Sequence, residues 1–468
     1  MFAEHNPARR RNMLPFLDRT EERRRIDRLL DSREGMFGCL YGRRRCGKTR
    51  LLRECAEGRA NVLFYVADRS DRSAQIARFL KEAEALNPAF GTATGRDWSA
   101  VMDLWLALAP RGAILILDEF PYLAEQDDAL TSVLQRIVDK LRTTGQKIII
   151  CGSSQRMMQG FVLKASEPLY GRAREILPVM PLSFGWMKEA FPKMSPWERL
   201  KAWGVWGGVP RYWELQDGER DLWTAVRKNI ASPLAVLRNE PQFLLLDDVG
   251  DVVKASAVLS FVGGGAHRAS EIAARMSRPM TDLTRPFQRL TELGLVVKDV
   301  PFGAEANCKK SFYRIRDPFL DFWYTFVHPN WSKPDFLESK EDRRLFDGQY
   351  KPYLGGVWER LVLNEVQRKP LPGFSGRFRN AARWWGPGLD RRPMEIDIVA
   401  ESLDRETLLV GEAKLALSAN DAVRVLAELE AKARQLPFAD RYKRVETRLF
   451  VAQNPPPGAV SIDWCEGQ

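Results

Sequence analysis

Residues 42–49 read Gly-Arg-Arg-Arg-Cys-Gly-Lys-Thr, an unbroken G-x-x-x-x-G-K-[ST]. No other stretch limits the fold so tightly, because this pattern works only between a buried strand and the first turn of a helix. Gly42 and Gly47 let the backbone curl until its N–H groups converge on phosphate oxygens. Lys48 then reaches the β- and γ-phosphates, and the Thr49 hydroxyl can ligate Mg²⁺. The backbone of Arg43, Arg44, Arg45 and Cys46 completes the cradle, with Arg50 just beyond it. The flanks agree: Met36-Phe-Gly-Cys-Leu-Tyr41 is an apolar run of strand length, and Arg50-Leu-Leu-Arg-Glu-Cys-Ala opens as a helix. ATP and Mg²⁺ are the expected ligands.

A second run, Ile114-Leu-Ile-Leu-Asp118-Glu119, ends in two carboxylates. A buried parallel strand would hold Asp118 at its C-terminal end facing the nucleotide, where it can bind Mg²⁺, and Glu119 can polarise the attacking water. A further strand, Lys147-Ile-Ile-Ile-Cys-Gly152, leads into Ser153-Ser154. A polar side chain here can contact the γ-phosphate, as expected for Ser153, or cap the next helix; the two roles are compatible. Downstream, Arg172 and then Arg174 are candidates to stabilise transition-state charge, in their own subunit or a neighbour's. Surface arginines are the alternative.

The chain has 468 residues, which suits two to four domains. Three histidines and six scattered cysteines argue against a zinc or disulfide framework. No run of apolar residues is long enough to span a membrane, and residues 1–11 lack the apolar core of a secretory signal, so a cytoplasmic protein is expected. Net charge is +11, which favours a polyanionic partner such as DNA.

The order of these motifs resembles the archaeal-type ATPases, a prokaryotic branch of the AAA+/STAND P-loop proteins. The carrying residues are Phe16-Leu-Asp-Arg-Thr-Glu-Glu, the loop at 42–49, Leu-Asp118-Glu119-Phe-Pro-Tyr-Leu, Gly152-Ser-Ser, Leu169-Tyr-Gly-Arg172 and Gly207-Gly-Val-Pro210-Arg-Tyr. The resemblance spans roughly residues 14–330. In similar STAND proteins a Gly-x-Pro in a helical lid packs on the adenine, which implies that Pro210 lies near the base. The arginine-rich interior of the loop departs from the family, at positions that tolerate variety.

Residues 255–316 have the pattern of a winged helix. A short helix is expected to open at a capping Ser270, and a second to run to Leu293, starting at Asp282 or later so that Pro286 falls near its first turn. Leu295–Val300 and Phe312–Ile315 would be wing strands, and Arg278, Arg285 and Arg289 could contact DNA.

In the C-terminal part, Glu395-Ile-Asp397-Ile-Val-Ala400 and Leu408-Leu-Val-Gly-Glu412-Ala-Lys414 alternate as two strands of a hairpin. Asp397 and Glu412 would lie on one side of the sheet, with Lys414 on the same face. Two carboxylates and a lysine can bind Mg²⁺ and orient a hydroxide at a phosphodiester; Glu359, on a preceding helix, could complete the acidic set. Glu338-Ser-Lys340 and Glu430-Ala-Lys432 repeat the Glu-x-Lys spacing without the strands. The set Glu359, Asp397, Glu412 and Lys414 resembles the PD-(D/E)xK nucleases, a usual companion of these ATPases.

The expected architecture is therefore α/β: an AAA+-like P-loop core over 1–184, a helical lid over 185–250, a winged helix over 251–330 and a restriction-endonuclease-like domain over 340–468. The expected activity is an ATP-hydrolysing switch acting on DNA, able to form a homo-oligomer and carrying a Mg²⁺-dependent nuclease-like domain. The alternative is a regulatory ATP-binding protein whose nuclease domain is inactive.

Overall fold

The computed structural model describes residues 14–216, 221–249, 251–305, 308, 310–333 and 335–467. The N-terminal stretch read for a secretory signal lies outside them up to residue 13. The first sheet is parallel, with strands β1 (Met36–Tyr41), β2 (Val62–Val66), β3 (Ile114–Asp118), β4 (Lys147–Gly152) and β5 (Glu175–Pro178) in the order β2-β3-β4-β1-β5. β3 and β4 are buried along their whole length, as continuous Ile/Leu runs between helical layers must be. The loop 42–47 leaves β1 and runs into the helix Lys48–Ala56. It therefore opens at the C-terminal edge of the sheet, where doubly wound sheets bind ligands.

Helices joined by short loops make up most of the described residues between 187 and 292. They lead to a two-stranded antiparallel sheet of β6 (Val296–Asp299) and β7 (Phe312–Ile315). Two local expectations are corrected. The short helix expected to open at Ser270 runs Ala269–Arg275 after Arg268 and has no side-chain cap, so Ser270 lies inside it. The second runs Met280–Glu292 and holds Pro286 in its interior. Pro286 is buried beside Leu283, Phe287 and Leu290, and burying that face outweighs the lost backbone hydrogen bond.

The helix Lys340–Arg368 leads into a mixed sheet of β8 (Phe378–Pro387), β9 (Pro393–Ser402), β10 (Thr407–Ala416), β11 (Arg444–Gln453) and β12 (Val460–Ser461), in the order β12-β11-β10-β9-β8. β8, β9 and β10 are antiparallel neighbours; β10–β11 and β11–β12 are parallel. The helix packs on β8 and β10 and opens with a capping box: Ser339 Oγ accepts from Asp342 N at 3.0 Å, and Ser339 N donates to the Asp342 carboxylate at 3.1 Å. Ser339→Ala is expected to cost about 1 kcal/mol, read as a lower urea midpoint.

The core is divided unevenly. One apolar cluster takes in Leu14, one face of the first sheet, the helices after it, and Val357, Leu361 and Cys465. A second lies on the opposite face of the first sheet, and a third joins the outer face of the C-terminal sheet to Phe302. Phe302, between β6 and β7, donates its N–H to Arg383 O at 2.8 Å and meets Phe438 ring to ring at 5.5 Å. Phe312 packs on Trp385 at 5.0 Å. The hairpin β6–β7 is thus docked on the edge strand β8. Trp385 packs there, while Trp384 is buried beneath it.

Candidate functional site

Two clusters of chemistry-bearing side chains stand out. The first lies at the phosphate loop. Gly42 has φ +149°, and a Cβ there would meet Val179 O at 2.3 Å; only glycine lets β1 turn beside β5. Lys48 is buried, and its Nζ donates to Gly42 O at 2.8 Å and Arg43 O at 3.1 Å, across the mouth of the loop. Thr49 donates its hydroxyl to Asp118 Oδ2 at 2.6 Å. Asp118, 1% exposed at the end of β3, thereby faces the helix start that carries Thr49.

Glu119 sits in the left-handed region at φ 52°, an uncommon conformation for a residue with a side chain. It accepts from Ser153 N at 3.1 Å and Ser153 Oγ at 2.9 Å, so the ends of β3 and β4 are joined through it. The helix cap falls to Ser154, which accepts from Met157 N at 3.3 Å and donates to Asp248 at 3.0 Å.

The arginines inside the loop are anchored. Arg43 donates to Asp317 Oδ2 and, at 3.0 Å, to the Tyr212 hydroxyl. Arg45 lies 3.1 Å from Glu240, which is fully buried and also accepts from Tyr212 at 2.9 Å. Arg44 acts electrostatically on Asp248, whose carboxyl burial nevertheless pushes above its ordinary range. Cys46 is buried, which raises its thiol above the usual range. Arg50 turns back to Leu14 O at 3.0 Å and over the Phe16 ring.

Beside the loop runs a cleft of about 690 Å³, whose lining includes Arg19, Arg43, Met180, Leu182, Gly208 and Asp317. Gly208 must be glycine, since a Cβ there would stand 2.1 Å from Leu182 O. Pro210, at the start of the helix Pro210–Trp213, is not among the lining residues. Arg172 stands apart from the loop cluster: its guanidinium is bound to Asp139 at 2.9 and 3.3 Å and to Pro168 O at 3.0 Å. Arg289 is turned inward to Asp248 O at 3.0 Å and to Glu292. Arg278 lies 3.7 Å from Asp282, and Arg285 is exposed.

The second cluster is C-terminal. Gly411 faces Ile398 across the β9–β10 ladder, which sets Glu412 beside Asp397. Ala413 N donates to Asp397 at 3.0 Å, and Lys414 Nζ lies 2.7 Å from Glu412 and 3.8 Å from Asp397. Burial raises the Asp397 carboxyl, and the Glu412 charge adds to this. Burial pulls Lys414 down, but its hydrogen bond to Glu412 and the charges of Glu412, Asp397 and Glu359 leave it above its ordinary value. Glu412 Oε2 is buried without a hydrogen-bond partner, and Lys432 Nζ stands 3.5 Å from it. Among the described residues, no group of three or more His, Cys, Asp or Glu side chains is gathered so as to hold a metal ion.

Glu359, on the helix Lys340–Arg368, is pushed up to about 7, by burial first and by Asp397 second, against Arg383, Lys414 and Arg360. Its folded-state pKa lies above the unfolded value of 4.5, so its stabilising effect is complete at low pH and is lost as pH rises through about 7. Relative to Glu359→Gln, the wild type should therefore lose thermal stability between about pH 5 and 8. A constant difference in Tm across that range would count against the shift.

Sequence reasoning missed Glu240, Asp317, Lys432 and Arg383. Lys432 belongs to a Glu-x-Lys that lacks the preceding strands; its helix, Ala419–Arg434, carries it back to Glu412.

Residues 16–215 match the family described as an ATPase domain predominantly from Archaea, and residues 323–425 match one described as archaeal and bacterial proteins of unknown function. The chain is 31% identical over 437 residues to an uncharacterized protein of Methanocaldococcus jannaschii, covering 92% of this chain and 94% of that one. Similar solved structures include a Walker-type ATPase of Pyrococcus abyssi (20% identity, 66% of this chain and 95% of that one, TM-score 0.48) and the ORC2 protein of Aeropyrum pernix (15% identity, 68% and 95%, TM-score 0.47). Among the described residues, no helix is long and apolar enough to cross a membrane.

Proposed function

Because this chain belongs to the archaeal-type P-loop ATPase family, we propose that it is an ATP-driven switch acting on DNA, with a Mg²⁺-dependent nuclease centre in its C-terminal domain. The observation that carries the ATPase half is the pairing of Thr49 with Asp118 beside a Glu119 held by Ser153. Lys48 exchanges its two carbonyl partners for phosphate oxygens, where its charge counts most. Asp118 and Thr49 hold the divalent cation, Glu119 orients the attacking water, and Ser153 fixes Glu119 and approaches the γ-phosphate. The loop backbone from Gly42 to Arg50 binds the phosphates. The cleft beside Gly208 would take the adenosine, two residues before Pro210 in the chain. Arg172, held by Asp139 on its own chain, suits a role toward a second copy in a homo-oligomer.

In the C-terminal domain the two carboxylates Asp397 and Glu412 are donors that would suit a hard cation, a buried oxygen of Glu412 lacking a hydrogen bond, and Glu359 on the neighbouring helix would add negative charge to them. Mg²⁺ bound there would neutralise charge at a phosphodiester. Lys414 lies where it can hold and orient a hydroxide. A winged helix over residues 251–330, Arg285 at its surface, and the net charge of +11 support DNA as partner, in the cytoplasm. The second reading, a regulatory ATPase with a silent nuclease domain, is favoured by one observation: Lys414 bridges the two carboxylates, and no third acid is gathered with them.

Cleavage of plasmid and linear DNA with Mg²⁺ or Mn²⁺, with and without ATP, decides between them. Wild-type cutting that disappears in Asp397→Asn is expected. No cutting under any condition, with ATP turnover intact, would favour the regulator.

A further inference from the structure

Nothing in the two sites as described explains why the loop interior is tied to residues so far along the chain. The Arg43 guanidinium and the Asp317 carboxylate are both less than a tenth exposed and are bound to each other. Asp317 also caps the helix Pro318–Phe322, its Oδ1 accepting from Leu320 N at 2.9 Å. One turn further on, the same helix carries Asp321, which accepts from Arg360 Nη2 at 2.9 Å. Arg360 directly follows Glu359 on the helix Lys340–Arg368. Tyr353 of that helix adds a bond to Pro318 O at 3.3 Å. One short helix therefore grips the phosphate loop with one carboxylate and the helix bearing Glu359 with another.

A buried ion pair is costly to split, because the partner left behind keeps a desolvated charge. A loop that rearranges around a triphosphate thus carries Asp317 with Arg43 instead of leaving it. A helical segment packed against Tyr212, through Phe319 at 4.6 Å between ring centres, moves as a body.

We infer that Asp317 and Asp321 are positioning residues that make Pro318–Phe322 a strut between the phosphate loop and the C-terminal carboxylates, so that the nucleotide at the loop sets how Glu359 is presented. This rests on the reading of the two sites given above. It assigns the regulation of the second site to contacts within one chain, without a partner.

The test is amide hydrogen exchange on the full chain over residues 354–366, with and without saturating Mg²⁺–ATP, once binding has been shown with a fluorescent ATP analogue. Exchange there should change by about fivefold or more in the wild type. In Asp317→Asn, which keeps shape and cap but drops the charge, the change should disappear at ATP concentrations that give the occupancy reached in the wild type, as read by the fluorescent analogue. Arg360→Gln, which cuts the other end, should do the same and guards against a misfolded first variant. Nucleotide binding without any change in 354–366 of the wild type, or an unaltered change in both variants, would overturn the strut. A coupled exchange response without DNA cleavage leaves the strut standing and removes the nuclease. Cleavage whose ATP response is indifferent to Asp317→Asn keeps the nuclease and removes the strut.

Discussion

Lys48→Ala should lower ATP turnover by roughly 10²-fold or more, measured as phosphate release at saturating ATP. Nζ is the cation held across the mouth of the loop, at 2.8 Å from Gly42 O and 3.1 Å from Arg43 O. Its charge is aimed at a position where negative charge grows as the terminal phosphoryl leaves. Alanine removes that charge while keeping the helix, since alanine is the best helix former. The fold should therefore survive with Tm nearly unchanged. Lys48→Arg should recover little, because a planar guanidinium cannot take the place of a compact ammonium between the carbonyls of Gly42 and Arg43. Turnover within twofold of wild type in Lys48→Ala would mean that hydrolysis occurs elsewhere.

The largest loss of stability is expected at an ion pair that belongs to neither site. Arg199, in the helix Pro196–Trp206, and Glu466, in the helix Ile462–Glu466, form a bidentate pair at 2.5 and 2.7 Å, each about 5% exposed or less. Glu466→Ala leaves the guanidinium buried with only the carbonyls of Phe191 and Met194, and should cost about 3–5 kcal/mol. The double variant Arg199→Met/Glu466→Leu should recover most of that, because the cost lies in the orphaned charge and not in losing the pair. Urea unfolding followed by intrinsic tryptophan fluorescence reads both. A double variant no better than Glu466→Ala would assign the loss to packing instead.

How far the sequence carried the reading depends on how local each signal was. The loop, its strand and its helix lie within some twenty residues, so one pattern holds all three. Asp118 and Ser153 were readable because buried parallel strands announce themselves as unbroken Ile/Leu runs whose ends face the ligand. Asp397 and Glu412 followed from two-residue alternation, which puts them side by side across the β9–β10 ladder. The partners of the loop arginines were invisible for the opposite reason. Arg43 and Asp317 lie 274 positions apart, and a lone aspartate before Pro318 carries no periodicity. Positions 43–45 read as ones that tolerate variety, and the structure pairs two of them, Arg43 and Arg45, with carboxylates. Pro286 failed differently: the local rule against an interior proline is sound, and the packing of Leu283, Phe287 and Leu290 overrode it.

The apolar cluster that includes Leu14, Trp206, Trp323, Trp358 and Cys465 has a practical corollary. Cutting the chain near residue 335 would strip Trp358, Leu361 and Val362 of the helices they pack against. The severed piece should therefore aggregate or be digested quickly, and brief protease treatment of the intact protein should not release it as a stable fragment. Grafting the C-terminal sheet onto another ATPase should succeed only if the apolar helices after the first sheet travel with it. In evolutionary terms, the ATPase and the sheet would then be inherited as one unit, because one apolar cluster takes side chains from both.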